Sequence, residues 1–180
     1  MPQTWWAWDH VISLEPAPAR VAVLCYLSDT TLSTGALRVL PGSHRKSVPL
    51  HRLLPEAHSD ESTALSPGHP AMADQPGQIS LEVRAGDAVV TDYRLLHGTH
   101  ANLGVHRRDC VLLSFAPNWG YLPDDLRGHL IQHPALPQPG EDSLTVTTTY
   151  PLPSFDGPLC DLALNRNAPA EFDIAGAAPD

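Results

Sequence analysis

At 180 residues the chain suits one domain with a real core, and 42% apolar against 17% charged residues excludes wholesale disorder. Twenty acidic residues against eleven basic ones leave a formal charge of −9, a sign that repels phosphate backbones and excludes nucleic acid as an expected partner. No apolar run has the length of a bilayer-spanning helix, and the start carries no basic-then-apolar leader, so a cytoplasmic protein without membrane contact is expected.

The short apolar run from Arg20 to Leu27 predicts a buried strand. A loop rich in Ser, Thr and Asp follows from Ser28 to Gly35, and Ala36–Leu40 predicts a second strand, stopped by Pro41-Gly42. Residues 46–77 lose periodicity, the mark of a long excursion that often serves as a binding loop or lid. Strands resume at Ile79–Val83 and, after a turn at Ala85-Gly86-Asp87, at Ala88–Asp92. A further strand covers Asp109–Phe115, and beyond Trp119 the sequence becomes Pro-punctuated, with one alternating stretch at Ser143–Tyr150 that suits an edge strand. The last dozen residues read as a frayed tail. The 19 prolines lie mainly outside these strands. Many short strands with Gly/Pro turns and almost no helical periodicity predict an all-β sandwich or barrel. The three cysteines, Cys25, Cys110 and Cys160, are widely spaced and odd in number, as free thiols in a reducing compartment would be.

Four local features stand in order along this frame. They are Trp5-Trp6-Ala7-Trp8-Asp9-His10, the segment from Gly35 through Pro41-Gly42-Ser43-His44, the segment from Gly86-Asp87 to Leu95-Leu96-His97-Gly98, and Asn102 followed by Arg107-Arg108. Together they resemble the phytanoyl-CoA dioxygenase family, whose pattern runs Trp-His-x-Asp, Gly-x-Leu-x-Val-x-Pro-Gly-Ser-His, a Gly-Asp turn into a strand ending Leu-Leu-His-Gly, an Asn, and an Arg eleven residues after that His. The resemblance covers residues 5–115. It implies an all-β, double-stranded β-helix (cupin-type jelly roll) core over residues 1–120, carrying the 46–77 excursion. A Pro-rich extension over residues 121–180 would pack on the same domain. It also implies an oxygenase that uses iron(II), 2-oxoglutarate and molecular oxygen on a small organic substrate.

The chemistry needs two histidines and a carboxylate on one face of the metal. On the family pattern Asp9 and His97 become metal ligands, and Arg108 becomes the fork that holds the far carboxylate of 2-oxoglutarate. Arg107, its neighbour, is expected on the opposite face. Pocket walls are expected from Trp8, Leu40, Leu112 and the excursion.

One departure sits at the most sensitive place: Ala7 occupies the position of the first iron-binding histidine and has no lone pair to give. Three explanations stand open: an engineered silencing, a degenerate natural member, or a site that holds iron with one histidine, one carboxylate and water. The alternative to an oxygenase is a non-catalytic jelly-roll module that binds a small ligand in the old cavity; a metal-dependent cupin that does not use 2-oxoglutarate is a third. The other histidines, Asp87 and Asp92 read as surface, turn or cap residues, and Asn102 as a turn former.

Overall fold

A computed structural model describes the backbone of residues 4–6 and, with side chains, residues 15–57, 59–134, 136, 153–162 and 171–174. Two compact units emerge, one of residues 1–117 with 164–180 and one of residues 118–163.

The first unit carries the strands: β1 (Thr4–Trp6), β2 (Val21–Tyr26), β3 (Leu37–Val39), β4 (Ile79–Leu81), β5 (Ala88–Asp92), β6 (His97–Thr99) and β7 (Cys110–Phe115). They form two antiparallel sheets, ordered β1-β6-β3-β4 and β5-β2-β7. The chain visits the sheets in alternation, the double-stranded β-helix arrangement of a jelly roll. The predicted strands are therefore present, each within a residue or two of its expected ends. β-Branched residues dominate β2 and β5, where one-sided packing on a pleated surface suits them.

The segment after the Gly86 turn differs from expectation. Gly86 takes φ +95°, Arg84 accepts the Asp87 amide through its carbonyl, and the Asp87 carboxylate accepts the Arg84 amide at 2.8 Å. The strand that follows does not run on to His97. It ends at Asp92, turns where the Leu95 amide donates to the Asp92 carbonyl, and restarts as β6 in the other sheet. A continuous apolar run hides this crossing, because both halves are apolar and only pairing partners separate them.

The 46–77 excursion is also more ordered than its sequence suggests. It holds two 3-10 turns, Pro49–Arg52 and Pro70–Met72, and the one-turn helix α1 (Asp60–Thr63), capped by the Ser59 hydroxyl at 3.1 Å from the Ser62 amide. Its Leu50 and Ala71 close over Leu40 and Leu96, with Val48, Leu54 and Leu65 around them. Each leucine so buried contributes about 1.5–3 kcal/mol, which ties the excursion to the sheet. Part of the expected tail packs too: Phe172 and Ile174 are buried, and the 171–174 stretch exchanges backbone hydrogen bonds with residues 45–47.

The second unit corrects the expectation of an irregular Pro-rich extension. It contains α2 (Asp124–Leu130), with Asp124 and Asp125 in its first turn and Arg127 and His129 in its last, where each sign suits the helix dipole. Gly128 lets this helix meet the 153–162 segment, and the Cys160 amide donates to the Gly128 carbonyl at 3.3 Å. The stretch Ser143–Tyr150 lies outside the described residues. All three cysteines are free. No helix among the described residues is long and apolar enough to cross a membrane.

Candidate active site

β6 is the centre of the first sheet and carries His97. Its register sets Trp6 of β1 on one side of His97 and Val39 of β3 on the other. Residues two apart share a face, so His97 and Thr99 lie on the side of Leu37 and Val39, both buried, and Gly98 lies on the side of Arg38.

The Pro41-Gly42-Ser43 turn holds the approach to His97. The buried Ser43 hydroxyl accepts the Leu96 amide at 2.9 Å, and the Leu96 carbonyl accepts the Leu40 amide at 3.0 Å. Leu96 is thus gripped at both backbone groups immediately before His97. The imidazole is oriented in turn by the Leu95 carbonyl, 2.8 Å from Nδ1. A carbonyl only accepts, so Nδ1 bears the proton and the neutral ring keeps its free lone pair on Nε2. This is the arrangement by which metal-binding histidines are commonly oriented.

Asp9, Ala7, Trp8 and His10 lie outside the described residues. Position 9 is three residues beyond Trp6, a span of at most about 11 Å of extended chain. Among the described residues no three His, Cys, Asp or Glu side chains come together as a metal site. The donor that the described residues offer iron is therefore Nε2 of His97. Any other protein donor here would come from the segment that follows β1.

Arg108 and Arg107 separate as alternation requires. Arg107 is exposed and pairs with Asp109 at 3.1 Å. Arg108 is half-buried, with no ion pair to a described residue, on the side of Cys110 and of Tyr26, which is Cys110's partner across β2 and β7. Its Nε lies 3.7 Å from where a Cβ on Gly35 would stand. Gly35 also has φ +92° and passes close to the His100 carbonyl, so a side chain there would crowd this corner. Tyr26 is 1% exposed, and its hydroxyl has no hydrogen-bond partner of ordinary geometry among the described residues. Burial pushes the phenol's pKa up, with the Cys110 thiol adding to the rise and the Arg108 cation opposing it.

The remaining candidates are structural. Asn102 spends its amide on its own loop, donating to the His106 carbonyl and accepting the Gly104 amide. Asp92 accepts the Arg94 amide and forms a two-point ion pair with its guanidinium, 2.7 Å at the shorter contact. His100 sits 2.8 Å from the Ser80 hydroxyl, and burial followed by the Arg38 charge lowers its pKa, with Asp74 opposing. His51 accepts the Val48 amide, and burial brings its pKa down to about 4. His69 caps a 3-10 turn, and His129 accepts the Leu162 amide. Of the expected pocket walls, Leu40 is committed to the hydrophobic cluster and Leu112 is 59% exposed.

Sequence reasoning missed two residues. Tyr26 was absorbed into an apolar run, though a phenol closing such a run at the buried parity is a signal. Ser43 read only as part of a turn.

Comparison with known proteins places this geometry. The Phytanoyl-CoA dioxygenase (PhyH) family matches residues 3–110. The ectoine dioxygenase of Nocardia farcinica (strain IFM 10152) is 32% identical over 120 residues, covering 63% of this chain and 39% of that protein. The chain thus spans about two fifths of the length of this curated relative. Among solved structures, HygX from Streptomyces hygroscopicus with iron bound aligns over 66% of this chain and 53% of its own, at 19% identity and a TM-score of 0.48. EvdO2 from Micromonospora carbonacea var. aurantiaca, complexed with 2-oxoglutarate, aligns over 64% and 45%, at 23% identity and a TM-score of 0.44. With the family match running through β1 to the start of β7, more than half of its length, the chain belongs to the phytanoyl-CoA dioxygenase family.

Proposed function

We propose that the chain is the core of an iron(II)- and 2-oxoglutarate-dependent dioxygenase that hydroxylates a small organic substrate, with Asp9 and His97 as its metal ligands. The observation that carries the reading is the orientation of His97, whose Nδ1 proton is committed to the Leu95 carbonyl so that Nε2 is left to bind a metal. The relatives named above, an ectoine dioxygenase and proteins holding iron or 2-oxoglutarate, support it.

When bound, the iron supplies the redox centre at which oxygen and 2-oxoglutarate react, yielding succinate, carbon dioxide and a hydroxylated product. The chain's own residues do the rest. His97 offers a neutral nitrogen and Asp9 an anionic oxygen, a set that suits iron(II). Arg108 receives the far carboxylate of 2-oxoglutarate through a charge-assisted, two-point contact that no described carboxylate already occupies. Leu37 and Val39, on the His97 side of β3, provide an apolar wall that excludes water.

Ala7 favours a second reading, a non-catalytic module that binds a small ligand, because one ligand position has no donor. Anaerobic addition of iron(II) and 2-oxoglutarate separates the two. A visible charge-transfer band in the native chain, strengthened in Ala7→His, is the expected result. Absence of the band in both proteins overturns the oxygenase reading.

A further inference from the structure

We infer that Tyr26 is a second anchor for the far carboxylate of the cosubstrate, donating its phenolic proton beside Arg108 and so selecting five-carbon dicarboxylates over shorter oxo acids. This rests on the oxygenase reading of the site and deepens it.

Three observations carry the inference. The Tyr26 hydroxyl is buried and lacks a hydrogen-bond partner among the described residues, although both of its backbone groups are satisfied by Asp87 and Gly86. A buried donor without a partner is a costly feature, and one that persists at a ligand site commonly awaits the ligand. Arg108, two residues before Tyr26's cross-strand partner Cys110, brings a positive charge to the same side of the sheet and carries no ion pair with a described residue. Finally, Gly35 keeps the space next to the Arg108 Nε clear, where any side chain would begin 3.7 Å away. An unspent hydroxyl donor and an unspent guanidinium fork on one face of a sheet form a site for a carboxylate. A carboxylate accepts from both at once, since its two oxygens offer about four lone-pair directions.

Tyr26→Phe keeps the ring and its packing and removes only the donor. Titration of the full chain with 2-oxoglutarate, under argon with iron(II), should show a loss of affinity of about ten- to hundredfold, the range for a hydrogen bond to a charged group. Pyruvate, which has the oxo-acid head but no far carboxylate, should bind Tyr26→Phe and the native chain alike. A second readout is independent of any variant. In protein labelled at the tyrosine ring carbon that bears the hydroxyl, 2-oxoglutarate should shift the Tyr26 resonance and pyruvate should not.

The Arg108→Gln variant tells the two possible failures apart. If Arg108→Gln abolishes 2-oxoglutarate binding while Tyr26→Phe binds as the native chain does and the Tyr26 resonance stays still, the Tyr26 inference is overturned and the oxygenase reading survives. If the native chain binds no 2-oxoglutarate, or Arg108→Gln binds it unchanged, the reading itself fails and the inference falls with it.

Discussion

Ser43→Ala tests how the Pro-Gly-Ser-His turn supports His97. The Ser43 hydroxyl accepts the Leu96 amide at 2.9 Å, and both residues are fully buried. Removing the oxygen leaves that amide inside the protein with no acceptor, a loss of about 1–3 kcal/mol. For a chain of this size each kcal/mol lowers Tm by about 2–4 °C, so a mid-range loss of about 2 kcal/mol predicts melting about 4–8 °C lower. Circular dichroism melts and urea titrations at pH 7 measure it, with an unchanged m-value showing that the unfolded state is not the cause. Exposed Ser33→Ala serves as the control. The variant should also bind iron(II) more weakly, because Leu96 directly precedes His97. A Ser43→Ala protein within about 0.3 kcal/mol of the native chain would refute the reasoning, since it would mean that the Leu96 amide finds another acceptor at no cost.

Three further outcomes follow from the geometry. His51 is neutral in the folded state, its pKa brought down to about 4, so unfolding favours its protonation below the ordinary 6.5. The stability it lends is complete above pH 6.5 and is lost as pH falls towards 4; urea midpoints at pH 7.5 and 4.5 should therefore differ less in His51→Gln than in the native chain. Arg94→Met strands the Asp92 carboxylate, which is 13% exposed, and should cost about 3–5 kcal/mol in urea unfolding, with part recovered by adding Asp92→Asn. Gly128→Ala gains helix propensity of about 1 kcal/mol but drives its methyl into the Pro158 carbonyl, so the helix α2 should become less protected in hydrogen exchange rather than more.

Much of the strand framework was legible because strands carry their signal locally. The runs at β2, β3, β4, β5 and β7 are short, rich in Val and Leu, and bounded by Gly, Pro or Asp. The order of motifs was legible for the same reason, and it sufficed to name the family. The helix α2 was legible in principle, through Pro123, two acids and then Arg127 and His129, but the density of prolines around it masked the pattern.

The sequence by itself determined the fold class, the order of the motifs, and the identity of His97 and Arg108 as candidates. It also determined that position 7 brings no donor. Tertiary structure alone decided that the chain crosses between sheets at Tyr93–Leu96, because strand pairing is a contact between distant residues that local apolarity does not encode. It alone decided which nitrogen of His97 is spent, through a carbonyl two residues away, and that Ser43 grips Leu96 from 53 positions upstream. It also set the unspent Tyr26 hydroxyl beside Arg108. Whether a polar group is satisfied depends on every neighbour that folding brings to it, and composition and spacing carry no record of that.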